Sequence, residues 1–302
     1  METGKNFDVI IIGGSYAGLS AAMALGRSLR SVLVIDSDQA CNRQTPYSHN
    51  FLTQDGVAPA SIKEKAQQQV LAYPTVMLLQ DLVTDGENLG NRFRITTLKN
   101  ETFHAKRLIF ATGLKDIMPE IPGVSECLGI SVIHCPYCHG YEVKNQKTGI
   151  FANGDFAFHY AQLIANLTAD LAIFTHGKSV LTPQQTHQIQ NRNIPIIEKE
   201  ITRIDHQHGK IQQLVFQDGS TYPLDALYTR PHFEQHCRLP EMLGCHLTEQ
   251  GTLQVDMLQR TNVKHIFACG DNASPLRSVA SAVAAGNFAG AAVNKEMVEE
   301  EF

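Results

Sequence analysis

The sequence has no run of lysine or arginine, no long hydrophobic stretch and no framework of paired cysteines. Without a basic run, and with a net charge of −5, the chain offers nucleic acids and phospholipid surfaces no binding face. Its apolar run at residues 9–12 is far too short to span a bilayer and lacks the flanks of a signal peptide. We therefore expect neither a nucleic-acid partner nor a membrane partner.

The seven cysteines are an odd number and are scattered except for one close pair, which argues against a secreted disulfide scaffold. With 43% hydrophobic and 18% charged residues, the composition is that of an ordinary soluble globular protein. A length of 302 residues predicts two domains, each large enough for its own hydrophobic core. We expect the protein to be cytoplasmic.

The close pair of cysteines lies in Cys-Pro-Tyr-Cys-His-Gly at residues 135–140. Two thiols at i and i+3 can close into a small disulfide ring and reopen, which is the chemistry of a redox pair. The same pattern is also the attachment signature of c-type haem, and it could form half of a zinc site. Haem attachment requires export, and no second Cys-x-x-Cys or clean His-x3-His supplies further zinc ligands. The sequence therefore favours a redox pair, with haem, zinc and an inert pair as alternatives, and we assign no metal ligands.

The amino-terminal region has the pattern of a dinucleotide-binding βαβ unit. An apolar strand at residues 7–12 runs into Gly-Gly-Ser-Tyr-Ala-Gly at residues 13–18, a helix follows, and a second strand at residues 31–35 ends at Asp36. Glycines permit the tight turn, the helix N-terminus meets a pyrophosphate, and the acid accepts hydrogen bonds from ribose hydroxyls. Ser15 stands where the middle glycine of the usual motif would be, and an ordinary strand–helix turn is the alternative.

The same plan recurs after the cysteine pair, beginning with a strand at residues 148–151. An offset of 139 residues aligns the two copies, so that Ala152 replaces the first glycine and Thr175 replaces the acid. Near the end of the second strand, only Lys178, with no arginine beside it, could meet the 2′-phosphate of NADP. We expect nucleotide binding here to be lost or altered.

Further segments complete the predicted fold. A capping-box pattern at residues 61–64 predicts a helix that runs to about residue 72. Residues 92–98 alternate like a half-exposed strand, and residues 210–216 followed by Gln-Asp-Gly predict a strand and a hairpin turn. Residues 118–123 are rich in proline and glycine, as at a domain boundary. The histidines and cysteine at residues 232–237 could face one side of a helix as metal ligands, although flanking prolines favour surface histidines.

Near the carboxyl end, a strand ends at Gly270-Asp271 and is predicted to place both residues beside a bound ligand. Pro275 is predicted to open an alanine-rich helix that runs through Ala292. The three glutamates at residues 299–301 are expected to form a solvated tail.

Taken together, these motifs resemble the low-molecular-weight thioredoxin reductase family of flavin disulfide oxidoreductases, and the resemblance covers nearly the whole chain. In order, the motifs are the glycine turn at residues 13–18, Ala111-Thr112-Gly113, the cysteine pair and Ala268-Cys269-Gly270-Asp271. The resemblance implies an α/β fold of two Rossmann-like, three-layer ββα domains, the second inserted into the first.

The same resemblance implies the domain boundaries and the site residues. The FAD-binding domain would comprise residues 1–115 and 240–302, and the inserted dithiol and pyridine-nucleotide-like domain would comprise residues 116–239. The catalytic residues would be Cys135, Cys138 and His139, with Cys138 nearer the flavin. The residues that would bind FAD are Gly13, Gly14, Ser15, Ala17, Gly18, Asp36, Gln44, Asn50, Ala111, Thr112, Gly113, Gly270, Asp271, Arg277 and Val279. A homodimer is implied, with a thioredoxin-like protein or a small-molecule dithiol or disulfide as its partner.

The chain departs from this family at the cysteine pair and at the second nucleotide unit. His139 replaces the acid that commonly follows the second cysteine, and the extended form Cys-Pro-Tyr-Cys-His-Gly-Tyr-Glu resembles a side branch, some of whose members oxidise small-molecule dithiols. Three functions remain open. They are an NADPH-driven reductase of thioredoxin or a similar protein, a flavin dithiol oxidase or a reductase with a non-nicotinamide donor, and a non-catalytic flavin redox sensor.

The residues around the cysteine pair suit thiol–disulfide exchange, which proceeds through a thiolate. His139 can take the thiol proton near neutral pH, because the unperturbed pKa of histidine is about 6.5. Pro136 favours a first helical turn, whose N-terminus would stabilise a thiolate. The sequence does not fix the direction of electron flow.

Overall fold

The computed structural model describes residues 5–302. Contacts divide the described residues into two compact units. The first unit contains the described residues up to Arg43, Phe51–Lys115 and Phe233–Phe302, and the second contains Gln44–Asn50 and Asp116–His232.

Strands and helices alternate along much of the chain. The elements before the cysteine pair are β1 (Lys5–Ile12), α1 (Tyr16–Arg27), β2 (Val32–Asp36), α2 (Pro59–Leu71), β3 (Val76–Gln80), β4 (Val83–Asn88), β5 (Phe93–Thr97), β6 (Thr102–Phe110), β7 (Leu114–Ile117), α3 (Val124–Cys127) and β8 (Val132–Ile133). Those that follow are α4 (Pro136–His139), β9 (Thr148–Phe151), α5 (Gly154–Ile164), β10 (Leu171–Phe174), α6 (Pro183–Gln190), β11 (Ile196–Ile197), β12 (Ile201–Gln207), β13 (Lys210–Phe216), β14 (Thr221–Pro223), β15 (Ala226–Thr229), β16 (His232–Gln235), α7 (Leu239–Met242), β17 (Ile266–Ala268) and α8 (Val279–Glu301).

The first unit is built on a mixed sheet in the order β3-β2-β1-β6-β5-β4, with β17 beside β6. Strand β1 is parallel to both β2 and β6, so the carboxyl ends of these strands meet at one edge of the sheet. Residues 9–12 are apolar and buried, as expected for a strand covered on both faces. Helices α1 and α8 pack very closely, because a Cβ at Gly286 would lie 2.0 Å from the carbonyl oxygen of Ala17.

The second unit contains a parallel sheet in the order β11-β10-β9-β15-β8 and an antiparallel sheet in the order β12-β13-β14. The largest fully buried side chains of this unit include Phe174 and Tyr228. The predicted α/β class is confirmed, and β9 and β13 have the bounds that their sequence patterns predict.

The carboxyl boundary of the second unit lies at His232 by contacts, ahead of the predicted boundary at residue 239. The physical reason is Leu239, which is buried in the core of the first unit with Val83 and Ile95. Segment 44–50 also clusters with the second unit rather than the first. The assignment of FAD and dithiol roles to these units remains a prediction.

Two predicted helix boundaries are wrong. Helix α2 begins at Pro59 rather than at the predicted capping box, and its N-cap residue makes no side-chain hydrogen bond. Proline at the first helical position replaces the cap, because its missing N–H would have had no partner there. Helix α8 begins at Val279, where Ser278 accepts a hydrogen bond from the amide of Ser281, and not at Pro275.

The glutamates at residues 299–301 are exposed, as expected, but they do not form a tail, because α8 continues to Glu301. The guanidinium of Arg107 in β6 is buried and donates to Glu296 at 2.8 Å and to Glu300. Arg30 donates to Glu301 at 2.7 Å. These ion pairs hold the last helical turns against the sheet.

Glu296, Glu300 and His265 are close enough together to suggest a cation site. Arg107 already binds both carboxylates, and His265 lies 3.1 Å from Glu300. The cluster is therefore an ion-pair network that joins α8 to the sheet, and we assign it no metal.

We expect Arg107→Met to lower the free energy of unfolding by about 2 kcal/mol, the scale of hydrogen bonds to charged groups. The cost stays below that of a fully buried broken ion pair, because the two glutamates reach solvent. Urea unfolding followed by circular dichroism measures the change. Arg92→Met, at an exposed position, is the control and should have little effect.

The same network predicts a pH dependence. The hydrogen bond from Arg107, with that from His265, lowers the pKa of Glu300 to about 2 from its ordinary value of 4.5. A lowered carboxylate pKa stabilises the fold fully above the unfolded value, and the contribution is lost as the pH falls through the folded value. Stability should therefore decline from about pH 4.5 towards pH 2 more steeply in the native protein than in Glu300→Gln. Equal slopes in acid titrations would contradict this.

Candidate redox site and dinucleotide cradle

Cys135 and Cys138 form a disulfide at the carboxyl end of β8, with their Cα atoms 5.2 Å apart. Cys135 is the N-cap of the single helical turn α4, and its sulfur accepts a hydrogen bond from the amide of Cys138 at 3.1 Å. Pro136 occupies the first helical position, so the predicted helical turn is confirmed. Both cysteines are partly exposed, which leaves the disulfide accessible for exchange.

His139 ends this helical turn and is partly buried. Burial lowers the pKa of its imidazole below the ordinary value of 6.5, while Glu142 acts to raise it and His49 to lower it further. The net lowering favours the neutral ring at neutral pH, which is the form that can accept a thiol proton.

Two tyrosines that sequence reasoning missed contact the residues on either side of the cysteine pair. The hydroxyl of Tyr160 donates to the carbonyl of His134, directly before the motif. Tyr228 is completely buried beside Ile133 in the parallel sheet, and a Cβ at Gly140 would lie 3.1 Å from its hydroxyl. No spacing in the sequence relates these tyrosines to the cysteines, because the sheet alone brings them together.

The glycine turn after β1 is packed so closely that side chains are excluded from it. Gly13 has a φ of +106°, and a Cβ there would lie 2.2 Å from the carbonyl oxygen of Ala111. A Cβ at Gly14 would lie 2.7 Å from the Cβ of Asp36, and one at Gly18 would lie 1.9 Å from the carbonyl oxygen of Gly13. The structure thus brings these predicted cofactor residues together at one edge of the sheet.

Helix α1 starts at this turn with an N-terminus suited to an anion. Its N-cap, Ser15, makes no side-chain capping bond, and the first turn contains no acidic residue. Backbone N–H groups and the helix dipole therefore favour a phosphate at this point. The glycine cradle and the uncapped helix fit the pyrophosphate of FAD.

Residues from the carboxyl end of the chain complete this site. Gly270 has a φ of +87°, and a Cβ there would lie 2.9 Å from the Cβ of Ala17. Asp271 accepts from the Nε of Arg277 at 3.4 Å, so two predicted cofactor residues form an ion pair. Val279, two residues after Arg277, is the first residue of α8.

Asn272 is a further residue that sequence reasoning missed. It is completely buried and donates to the carbonyl of Phe110 at 2.9 Å and to the hydroxyl of Thr112 at 3.4 Å. Its side-chain oxygen has no hydrogen-bond partner among the described residues. Its place directly after Gly270-Asp271 is the one signal that could have identified it.

Asp36 is already engaged by a residue absent from the predicted site. Lys63 in α2 donates to Asp36 at 2.7 Å and to Asp38 at 2.6 Å. Gly113 has a φ of +65° and open space around it. Gln44 and Asn50 belong by contacts to the second unit, and their role in FAD binding stays a prediction.

The turn after β9 is closed by its own polar groups. The side-chain oxygen of Asn153 accepts from the amides of Gly154 and Val180, both at 2.9 Å, and its nitrogen donates to the carbonyl of Lys178 at 2.9 Å. The hydroxyl of Thr175, which replaces the ribose-binding acid, donates to the carbonyl of Gly177 at 2.7 Å.

Charge also distinguishes this helix from α1. Asp155 lies in the first turn of α5, where its negative charge opposes a phosphate. Gln185 donates to it at 2.7 Å, which fixes it there. At the start of α5, the amide of Gly154 is thus bonded within the second unit, and a fixed negative charge opposes a pyrophosphate.

The segment with His232, His236 and Cys237 does not form the helix that metal ligation would have required. It contains strand β16, which ends at Gln235. Residues four apart along an extended segment are about 13 Å apart, too far to bind one ion. His232 and His236 are both exposed, which confirms the favoured interpretation of surface histidines.

Known proteins resemble this chain over almost its whole length. The family described as "Pyridine nucleotide-disulphide oxidoreductase" matches residues 7–286. Thioredoxin reductase tcpT of Claviceps purpurea is 30% identical over 314 residues, which cover 99% of this chain and 97% of that protein. The structure of TrxB from Bacillus anthracis is 32% identical, with a TM-score of 0.94, and the match covers 98% of this chain and 100% of that chain. An oxidoreductase structure from Agrobacterium tumefaciens is 37% identical, with a TM-score of 0.91, covering 97% and 99%.

We expect Gly13→Ala to abolish FAD binding, because the added Cβ would meet the carbonyl of Ala111 at 2.2 Å. Gly90→Ala is a matched control, since Gly90 also has a positive φ of +89° but has nothing within 4 Å. The native protein and the control should purify yellow, and Gly13→Ala should be colourless. Flavin absorbance after incubation with FAD is the measurement, and a yellow Gly13→Ala protein would disprove the cradle.

Cys135→Ser and Cys138→Ser should each abolish disulfide turnover while leaving FAD bound, because the pair lies outside the glycine cradle. Cys245→Ser is a control at a buried thiol of the first unit and should retain turnover. Disulfide turnover and flavin absorbance are measured on the same preparations. Normal turnover in either variant of the pair would show that it is structural.

Proposed function

The chain belongs to the pyridine nucleotide-disulphide oxidoreductase family and is an FAD-dependent disulfide oxidoreductase of the thioredoxin reductase type, and we propose that its electrons come from a dithiol substrate rather than from NADPH. The observation that carries this proposal is the closed turn of the second unit. The side-chain oxygen of Asn153 caps α5 by accepting from the amide of Gly154, and it also accepts from the amide of Val180. The amide of Gly154, which would hold a nucleotide phosphate, is therefore already bonded.

The proposed reaction converts a dithiol and dioxygen into a disulfide and hydrogen peroxide. One substrate thiolate attacks a sulfur of the Cys135–Cys138 disulfide and forms a mixed disulfide. The second substrate thiolate then attacks the substrate sulfur of this mixed disulfide. The bond to the enzyme cysteine breaks, the oxidised substrate leaves, and both cysteines remain reduced. When bound, FAD would supply the two-electron acceptor for the reduced cysteines, and dioxygen would be the final acceptor.

His139 is the proposed base for the attacking thiol. It directly follows Cys138, and its neutral form accepts the thiol proton near neutral pH. The imidazolium that results stands beside a thiolate and stabilises it. By resemblance to the family, Cys138 is the cysteine that exchanges electrons with the flavin, and Cys135 meets the substrate.

The surface beside the cysteines supports a substrate with apolar or aromatic groups. Tyr137 lies between the two cysteines and is 71% exposed, and Tyr141 is 70% exposed. Exposed tyrosines offer a large apolar contact with a polar end. A thioredoxin-like protein or a small-molecule dithiol could supply this contact.

The family resemblance also supports a cytoplasmic homodimer. In the part of the chain that the structure describes, no helix combines the length and apolarity needed to cross a bilayer. FAD would be held by the glycine cradle with Asp36, Asp271 and Arg277.

Anaerobic stopped-flow mixing tests the electron donor. A charge-assisted hydrogen bond contributes about 1.5–3 kcal/mol, so each missing arginine contact weakens NADPH binding by roughly tenfold to a hundredfold. We therefore expect slow bleaching of the flavin that requires roughly millimolar NADPH and differs little from that with NADH.

Dithiothreitol should bleach the flavin rapidly and, in air, should drive oxygen consumption that Cys138→Ser abolishes. Saturable bleaching at micromolar NADPH, with NADH far slower, would overturn the proposal and identify an NADPH-driven reductase. Bleaching without dithiol-dependent oxygen consumption would instead favour a redox sensor.

A further inference from the structure

We propose that Glu142 and His49 are positioning residues that control the protonation of His139 and conduct its proton to solvent. This inference rests on the proposed function, because it assumes that His139 accepts the thiol proton. Glu142 ends the extended cysteine motif at residues 135–142, whereas His49 lies far from it in sequence.

The geometry places the three side chains in one group. The rings of His49 and His139 meet edge to face, with centroids 6.3 Å apart and an interplanar angle of 88°. The Nε2 of His49 lies 3.5 Å from the Oε1 of Glu142. Segment 44–50 clusters with the unit that contains the cysteine turn, so all three residues belong to one compact unit.

Both neighbours of His139 have side chains that reach solvent. His139 is partly buried behind the cysteine turn. The side chain of His49 is 19% exposed and that of Glu142 is 39% exposed. A proton passed from the base to either neighbour therefore reaches a group that exchanges with water.

Glu142 and His49 have opposite effects on the pKa of His139. Burial is the largest influence on His139 and lowers its pKa, the Glu142 carboxylate raises that pKa, and a protonated His49 lowers it. The reduced thiols of Cys135 and Cys138 also lie in the adjoining turn. Tyr228 beneath the turn stays neutral, because burial raises the pKa of its hydroxyl. Glu142 and His49 are thus the two charged neighbours that act on the base, with opposite signs.

Proton balance explains why such a group is useful. A substrate dithiol that becomes a disulfide loses two electrons and two protons, and its first thiol proton goes to His139. The base must lose this proton before the next turnover. A neighbouring carboxylate stabilises the imidazolium when it forms, and a neighbouring imidazole accepts the proton and hands it to water.

The test is a direct titration of His139 by NMR in the histidine-labelled holoenzyme, with the His139→Asn spectrum identifying its resonance. In Glu142→Gln the pKa of His139 should fall, because the carboxylate is removed. In His49→Gln it should rise, because a competing positive charge is removed. Glu120→Gln and His208→Asn, at exposed positions of the same unit, are matched controls that should leave it unchanged.

Kinetics provide the second measurement. The rate of flavin bleaching by dithiothreitol should rise with pH through the His139 pKa, since the neutral ring is the base. This rising limb should move to lower pH in Glu142→Gln and to higher pH in His49→Gln. Because each variant also loses part of the path to solvent, the rate on the plateau above the His139 pKa should fall roughly tenfold, less than the 10²–10⁴ that a general base contributes as a whole. Glu142→Asp should recover most of the loss.

The two measurements separate the inference from the function on which it rests. An unchanged His139 pKa in both variants, with FAD still bound, would overturn the inference. Shifts of that pKa in the expected directions, without matching shifts in the rate profile, would support the linkage and overturn the role of His139 as base. Shifts in both measurements would support both.

Discussion

The backbone contact between helix α1 and its neighbours is the constraint on which the dinucleotide site depends. The carbonyl of Ala17 lies against Gly286 in α8, and the side chain of Ala17 lies against Gly270. Any Cβ at these glycines would push α8 or the residues before it away from the glycine turn. Because this contact is made, Gly270 and Asp271 lie beside a turn at the other end of the chain. The proposed FAD site is thus assembled from both chain ends by close helix packing.

The two βαβ units show that one topology can carry two different polar arrangements. At the first turn, Ser15 leaves the start of α1 uncapped and no acid lies in the first helical turn. At the second, Asn153 caps α5 and Asp155 adds a negative charge. Phosphate binding requires free amides and a favourable dipole, so only the first arrangement suits it. The proposed loss of nucleotide binding would therefore arise from local hydrogen bonding within an intact fold.

The cysteine turn depends on the second unit for its environment. Strand β8 delivers the turn to the carboxyl edge of a parallel sheet, and Tyr160 and Tyr228 fill the space beneath it. Burial disfavours the charged form of His139, so the electrostatic balance around that ring decides how readily it takes a proton. The chemistry of the disulfide is thus coupled to side chains outside the motif.

The sequence by itself determined the features that local pattern encodes. The apolar strand before residues 13–18, the strands at residues 148–151 and 210–216, and the helical turn at Pro136 all follow from short-range preferences. Family resemblance extended this to the α/β fold and to FAD. Local pattern failed at the ends of helices, because Ser278 provides the cap of α8, and Arg107 and Arg30 hold its last turns.

Only the tertiary structure decided which distant side chains meet. Lys63 beside Asp36, Asn272 beneath the strand ends, and His49 beside His139 are separated from their partners along the chain, and no spacing rule relates them. The turn after β9 is likewise closed by hydrogen bonds that join Asn153 to Val180 and Lys178, which local sequence pattern does not predict. Sequence specifies such contacts only through the whole fold, because burial and hydrogen bonding depend on how sheets and helices bring separate segments together.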